Sequence, residues 1–511
     1  MAATVVTLHL LGLNVSPPGL YQDEAAFGYN AWAIAHYGVD EWGHRLPLFL
    51  QSFDDYKSPL YAYLLAPLTW IQPLDVVTTR LPAAVCDLAA CAFLAVAALR
   101  LTRSRLIGLL TLLTAGFMPW LVLQGRVAFD VTTMTLTLSG AVWCLVEAEQ
   151  RRSARWFTSA GIFLGLAVFS YQSARLLAAL LLASLCAVHI TGLLSVRRRR
   201  QPSAAPNVSA AWMCALPPAL FAYLLLGLWS AHHPGALLAR FNSVSILNDH
   251  PSLLVAAGRF IGNYLSYFNL PFLVLTGDTN PRHGTGFGGV VLVAMLAPLI
   301  AGVVVWVRHR SEPIVQLLAL GLLTAPVPAA LSSEGSPHAV RAAGMIPFLV
   351  ILAACGWSLL LPILSRRRRL AAGLAALAAV QVGLYLTDLF LLYPGRAQQA
   401  FEAGQREAIV RAHELAGEHR VLLSKTLGEP YAQALFALAP PPTASREETL
   451  ARLGVSQLEP ARLEAVARRG DLVVLAPTDT PPARADHLLV ERVPAPLWLG
   501  EEPAVAVYRI D

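Results

Sequence analysis

Apolar runs of about twenty residues, repeated along the chain and separated by short arginine clusters, constrain this sequence more than any other feature. A helical run of that length matches the roughly 30 Å hydrocarbon core of a bilayer. The pattern predicts spanning helices at 3–14, 73–99, 106–124, 131–148, 156–172, 175–196, 211–230, 287–307, 313–331, 343–364 and 370–392, eleven in all, the first of them short. The clusters Arg100/Arg103/Arg105, Arg151/Arg152/Arg155, Arg197 to Arg200, Arg308/Arg310 and Arg366 to Arg369 then share one side, which the positive-inside rule makes cytoplasmic. With 56% hydrophobic and 14% charged residues against about a quarter charged in soluble domains, a string of soluble domains is excluded. The net charge of +6 comes from arginines in helix-flanking loops, where they orient helices, so no nucleic-acid partner is expected.

An odd number of spans starts the chain in the cytoplasm and exports everything after Tyr393, giving a multi-pass protein of the inner (cell) membrane with a periplasmic or extracellular C-terminal domain. The first run lacks a basic start and a small-x-small cleavage site, so it reads as a shortened or mis-assigned N-terminus and not as a signal peptide. Residues 1–393 form the membrane module, with exported loops 15–72 and 231–286. The tail, 394–511, has 29 charged residues in 118, a soluble composition. Helical spacing over 398–418 and strand-like runs at 421–424, 472–476, 488–493 and 504–510 predict a small α/β domain with no chemistry of its own. The expected fold class is a polytopic α-helical membrane protein with interfacial helices at 22–38 and 59–71 of the first exported loop and this soluble domain behind it. All six cysteines lie in apolar runs without zinc or disulfide spacing and read as packing residues.

Chemistry is expected at the exported surface. Asp23 and Glu24 are adjacent carboxylates just after the first run; two like charges this close favour one raised pKa and a general base. They read equally as a solvated pair or as a helix N-cap before Ala25. In DDYKSPL, 54–60, Asp54, Asp55 and Lys57 precede an apolar helix; the cation could hold a phosphate and the acids position it or bind a metal, or all three could anchor a helix at the headgroups. Lys57 stands out because the chain has two lysines against 36 arginines. Arg126/Asp130, Tyr171/Arg175 and His338/Arg341 are spaced to share helix faces. Arg126, Arg175, Arg282 and Arg341 all sit on the exported side against the positive-inside bias, which suits an anion site beside a base. The glycines of GDTNPRHGTGFGG, 277–289, follow no strand and precede a membrane helix, so their likeness to a nucleotide loop is accidental.

YQDEAAFGYNAW, GHRLPLF, DDYKSPLYAYLLAPL, GRVAFDVTTM, SYQSARLL, GDTNPRH and HAVRAAGMIP, in that order, resemble the GT-C superfamily of membrane glycosyltransferases, in the branch of protein O-mannosyltransferases, aminoarabinose transferases and their bacterial relatives. The resemblance covers about residues 20–395. It implies a polyprenyl-phosphate-sugar donor, a glycan, lipid or protein acceptor on the exported side, and direct displacement at the anomeric carbon. By the same resemblance Asp23 is the acceptor-activating base with Glu24 beside it, Lys57, Arg126, His338 and Arg341 hold the leaving phosphate, and Asp54, Asp55, Asp130, Tyr171, Arg175, Arg282 and His283 are further substrate or metal contacts. No organic cofactor is implied and a divalent metal is left open. The chain departs from the aminoarabinose transferases in carrying Lys57-Ser58-Pro59 where a Lys-Pro-Pro run is usual, and in its short first helix. Competing readings are a transporter or flippase of lipid-linked sugars, disfavoured by the absence of an internal repeat and of midplane charges, and a non-catalytic glycan-assembly factor, which needs no aspartate base.

Overall fold

The computed structural model describes residues 2–53, 55–198, 210–493 and 502–511. Asp54, and Arg199 and Arg200 of one arginine cluster, lie outside the described residues. Helices coincide with all eleven apolar runs. Among the described residues seven are long and apolar enough to cross a membrane: Val76–Thr102, Val131–Arg151, Gln172–Leu194, Ala210–His232, Pro313–Ala330, Ala339–Arg366 and Arg368–Ala397. Arg105–Gly116, Ala154–Val168 and Val293–Arg308 are apolar but shorter, and Ala2–Leu10 has nine residues. The run expected at 106–124 breaks at Met118, whose extended backbone precedes Pro119, because proline disfavours the helical region for the residue before it. The protein is thus a helical, multi-pass membrane protein with a small sheet domain.

The chain forms two compact units. The first comprises Met1–His9, Ala83–Gly125 and Asp130–Tyr385. Its helices meet through small residues: a Cβ on Gly356 would stand 1.8 Å from the Pro298 carbonyl oxygen, so only glycine lets helices Leu296–Arg308 and Ile346–Arg366 approach so closely. Ala148, Phe157, Leu185, Trp212, Ala215 and Leu317 build a further buried cluster from five segments.

The second unit comprises Leu10–Pro82, Arg126–Phe129 and Leu386–Asp511. Its five-stranded sheet has the order Val455–Leu458, Val421–Ser424, Leu472–Leu475, Glu502–Ile510, Ala485–Val493. The first three strands run parallel, with Val421 opposite both Val455 and Leu472, and the last two pair antiparallel to their neighbours. The inner strands Val421–Ser424 and Leu472–Leu475 are wholly buried, which is why they read as continuous apolar runs; the unexpected strand Val455–Leu458 is an edge, half-buried, with Ser456 and Gln457 in it. The predicted tail helix begins only at Gln405, after left-handed Glu402 and Gly404. Where the sequence divides the chain at 393/394, this unit joins both sides of that boundary. Ala25, Ala26, Tyr29 and Ala33 of helix Gln22–Tyr37 lie in one core with Ile409, Val421, Tyr431, Leu435, Phe436 and Val474.

At the closest approach in that core, a Cβ on Gly28 would lie 2.5 Å from the Phe436 ring and 3.1 Å from Thr79 Oγ1. Gly→Ala in a helix ordinarily gains about 0.5–1 kcal/mol, and overpacking a core costs about 1–3 kcal/mol. Gly28→Ala should therefore lower the unfolding temperature in detergent, whereas Gly373→Ala, whose Cβ meets nothing within 4 Å, should hold or raise it. Equal shifts of the same sign would contradict the packing described.

Candidate functional site

Helix Gln22–Tyr37 starts at Tyr21, and Glu24, three residues on, accepts from the Tyr21 N–H at 3.0 Å. The N-cap is thus Tyr21 and not Asp23, with Glu24 at the third helical position closing the capping box. Glu24 is fully buried and receives Arg80 Nε at 2.8 Å, Arg80 Nη2 at 2.9 Å and the Ala128 N–H at 2.8 Å. Arg80 is also fully buried and donates to the carbonyls of Leu13 (2.7 Å), Pro17 (2.8 Å) and Gly19 (2.9 Å). Adjacent residues on a helix point about 100° apart, so Asp23 leaves this network and its side chain is 31% exposed. It is hydrogen-bonded by Lys57, whose side chain is 15% exposed and whose Nζ lies 5.1 Å from the Phe27 ring centre and 4.5 Å from that of Phe53. The pairing of Asp23 and Glu24 as repelling neighbours gives way to two separate acid–cation pairs.

Strands Leu50–Ser52 and Asp55–Lys57 form the antiparallel ribbon that presents Lys57; Asp55 Oδ1 accepts from the Tyr56 N–H at 2.7 Å. Arg126 is buried, with Nε on the Ser16 carbonyl (2.6 Å), Nη2 on those of Leu11 (2.6 Å) and Gly12 (2.8 Å), and its guanidinium 4.8 Å from the Phe390 ring centre. The expected shared helix face of Arg126 and Asp130 does not form, because helix Pro119–Gln124 ends at Gly125 and the next begins after Asp130. Deeper in this unit Glu41 accepts from Asn30 Nδ2 at 3.2 Å and faces Tyr431 Oη at 3.4 Å. Burial raises its carboxyl to about 7, with Arg446 acting in the opposite sense.

The other unit gathers a second group. Asp278 and His283, on the loop before helix Leu296–Arg308, are joined by His283 Nδ1 to Asp278 Oδ2 at 3.1 Å. The same Oδ2 accepts the Ala339 N–H at 2.8 Å, which brings in His338, whose ring centre is 4.3 Å from that of His283. His338 and Arg341 do not share a helix face: His338 is the N-cap of helix Ala339–Ala342, and its Nδ1 accepts the Arg341 N–H at 3.4 Å. The Arg341 guanidinium is held by Ser332 and by Glu334 at 2.5 Å, and Glu334 also binds Arg240 at 3.1 Å. Burial first, then the electrostatic influence of the neighbouring His283 and Arg341 side chains, lowers the His338 pKa. Burial alone would raise the Asp278 carboxyl, but the bonds from His283, Ala339 and Asn280 hold it below the ordinary range. Within its loop Arg282 donates its N–H and its Nε to Asn280 Oδ1. Tyr171 precedes helix Gln172–Arg198 instead of sharing a face with Arg175, whose carbonyl accepts Tyr223 Oη at 2.5 Å. The Asp130 carbonyl accepts from Thr133 at the start of its helix.

Sequence reasoning singled out neither Arg80 nor Asp278. Arg80 was visible as a lone cation inside the run 73–99, where an ionisable residue signals a partner. Asp278 lies inside the GDTNPRH loop, where glycines and basic residues dominate the pattern.

Residues 56–200 match the family model of dolichyl-phosphate-mannose-protein mannosyltransferases. No curated protein sequence matches the chain. Among solved structures, ArnT from Cupriavidus metallidurans bound to undecaprenyl phosphate aligns with a TM-score of 0.58 at 13% identity, over 99% of this chain and 96% of that one. The same protein in the apo state gives 0.55 at 15% identity over the same shares. The oligosaccharyltransferase of Archaeoglobus fulgidus in its apo form gives 0.49 at 12% identity, over 93% and 68%.

Removing one member of a buried ion pair costs about 3–5 kcal/mol because a bare charge stays behind. Arg80→Met should therefore be strongly destabilising, and adding Glu24→Gln to it should recover part of the loss. A double variant no better than the sum of its singles would mean the two do not act as a pair. For Glu41 the folded pKa of about 7 lies above the roughly 4.3 of an unfolded glutamate. The folded state then binds the extra proton, so this group's contribution to stability is present at low pH and declines as pH rises from about 4.5 to 7. Glu41→Gln should flatten that decline in urea titrations, and an unchanged slope would exclude Glu41 as its source.

Proposed function

With the fold of the GT-C membrane glycosyltransferases, and related over residues 56–200 to the mannosyltransferase family, the chain is one for which we propose transfer of a sugar from a polyprenyl-phosphate-linked donor to an acceptor on the exported side. The undecaprenyl phosphate bound by ArnT, whose fold this chain shares, supports the donor class. The observation that carries the reading is the Asp23–Lys57 pair, a part-exposed carboxylate at a helix N-terminus held by one ammonium against two aromatic rings.

In this reading the donor phosphate competes with Asp23 for Lys57. An ammonium can change partner by rotating three equivalent donors, and the phosphate brings the larger negative charge. Asp23, released, accepts the proton of the acceptor hydroxyl as that oxygen attacks the anomeric carbon. The carbon–oxygen bond to phosphate breaks, its electron pair leaves with the lipid phosphate, and Lys57 neutralises the charge that develops there. A single displacement of this kind inverts the anomeric configuration. Glu24, buried on Arg80, positions the helix that carries Asp23, and Arg126 is assigned to the chain's own carbonyls. By the resemblance alone, Arg341 and His338 are retained as donor-phosphate candidates, and Asp55, Asp130, Tyr171, Arg175, Arg282 and His283 as substrate or metal candidates.

Purified protein given a panel of polyprenyl-phosphate sugars should release polyprenyl phosphate from at least one of them. Asp23→Asn should reduce that turnover by about 10²–10⁴, the worth of a positioned base, while donor binding survives; near-native turnover would remove Asp23 from the mechanism. Arg341→Ala should weaken donor binding far more than Arg367→Ala, which lies in a cluster expected in the cytoplasm. Cysteines placed in residues 400–490 of a variant lacking the six native ones should be labelled from the exported side only, and cytoplasmic labelling would overturn the orientation.

A further inference from the structure

We propose that Asp278, His283 and His338 form a binding site for a divalent transition metal of the zinc class. The three come from separate positions, two on the loop before helix Leu296–Arg308 and one on the cap before the span Ala339–Arg366, yet each offers a ligand atom within 4.8 Å of the other two. Two of these atoms, His283 Nδ1 and Asp278 Oδ2, already stand 3.1 Å apart. Neighbouring ligands of a tetrahedral zinc with bonds of about 2.0–2.1 Å are about 3.3 Å apart, so this edge of a coordination shell exists without rearrangement. The third ligand is close at hand, since the two imidazoles face each other with ring centres 4.3 Å apart.

The donor set selects the ion. Two imidazoles and one carboxylate suit zinc and its neighbours, whereas magnesium and calcium take oxygen ligands. Burial favours a single tightly held ion over loose surface binding, because the Asp278 side chain is 7% exposed and that of His283 11%. The Ala339 N–H fixes the Asp278 carboxylate, as a supporting shell must. The Arg341 guanidinium is engaged elsewhere, by Glu334 and Ser332. The Arg341 N–H contact to His338 Nδ1, at 3.4 Å, is long enough to be given up when that ring turns to a metal. Three protein ligands leave a fourth position for water or an anionic oxygen. Metal binding here does not depend on the transferase reading and can fail or succeed without it.

The test uses the full chain in detergent, stripped with a chelator and titrated with Zn²⁺ and with Co²⁺. One equivalent should bind per chain, with the visible absorption of tetrahedral cobalt, and zinc X-ray absorption should give a nitrogen and oxygen shell with the imidazole signature. Asp278→Asn, His283→Gln and His338→Gln should each weaken binding by at least the about 10–100-fold that loss of a supporting residue costs. His309→Gln, at an exposed histidine–glutamate pair, should leave it unchanged. Failure of the wild-type chain to hold an equivalent at micromolar free metal, or a sulfur shell pointing to the cysteines, overturns the proposal. Because both readings are made on the unaltered chain, a variant that does not fold cannot obscure the result.

Discussion

The buried ion pair between Glu24 and Arg80 is the interaction on which the candidate centre depends. A guanidinium and a carboxylate withdrawn from water are costly unless every donor and acceptor is matched. Here the match is complete on the cation's side: the five N–H donors of Arg80 reach the two oxygens of Glu24 and the carbonyls of Leu13, Pro17 and Gly19. The carboxylate in turn takes the N–H groups of Tyr21 and Ala128. One pair therefore ties together the chain before helix Gln22–Tyr37, the first turn of that helix, the start of the span Val76–Thr102 and the segment Arg126–Phe129.

That tie separates two chemically similar neighbours. Glu24 is committed on all sides, and an oxygen accepting from a guanidinium and a backbone amide in a dry interior is not available to a substrate proton. Asp23, one residue earlier and about 100° round the helix, keeps a part-exposed carboxylate paired, among the described residues, with Lys57. The depth and direction of Asp23 are set by a helix whose first turn cannot slide, since Glu24, which closes its capping box, is the residue bound to Arg80. Rigid support of this sort is what a group that must meet a reacting atom requires.

The helical architecture was legible because lipid imposes one pattern on every span, so periodicity was not needed and apolar length sufficed. The inner strands were legible for the related reason that full burial makes a continuous apolar run, as in VLLS. What escaped depends on contacts between distant segments. The edge strand Val455–Leu458 carries a polar middle and is defined by its partner Val421–Ser424. The three pairs expected to share helix faces follow a spacing rule that holds only inside a helix: Arg126 and Asp130 lie in the loop between two helices, and the other two pairs straddle a helix start. Asp23 and Lys57 were each singled out, but their contact, across 34 positions of sequence, was not foreseeable.

The distribution of cations completes the physical picture. Arginine serves where a planar fork must saturate several fixed acceptors at once: Arg80 and Arg126 bind backbone carbonyls that cannot move, and their own geometry holds the chain around them. Lys57 is one of only two lysines in a chain with 36 arginines, and its surroundings differ in kind. Among the described residues it has one carboxylate partner and two aromatic faces, which attract an ammonium without directing its hydrogens. A guanidinium in that place would bind Asp23 through two parallel bonds and resist release. An ammonium held by one anion and two rings can exchange that anion for another at small cost. In the proposed reading, the rare lysine thus stands where a cation able to change partners is wanted, next to the carboxylate that such an exchange would free.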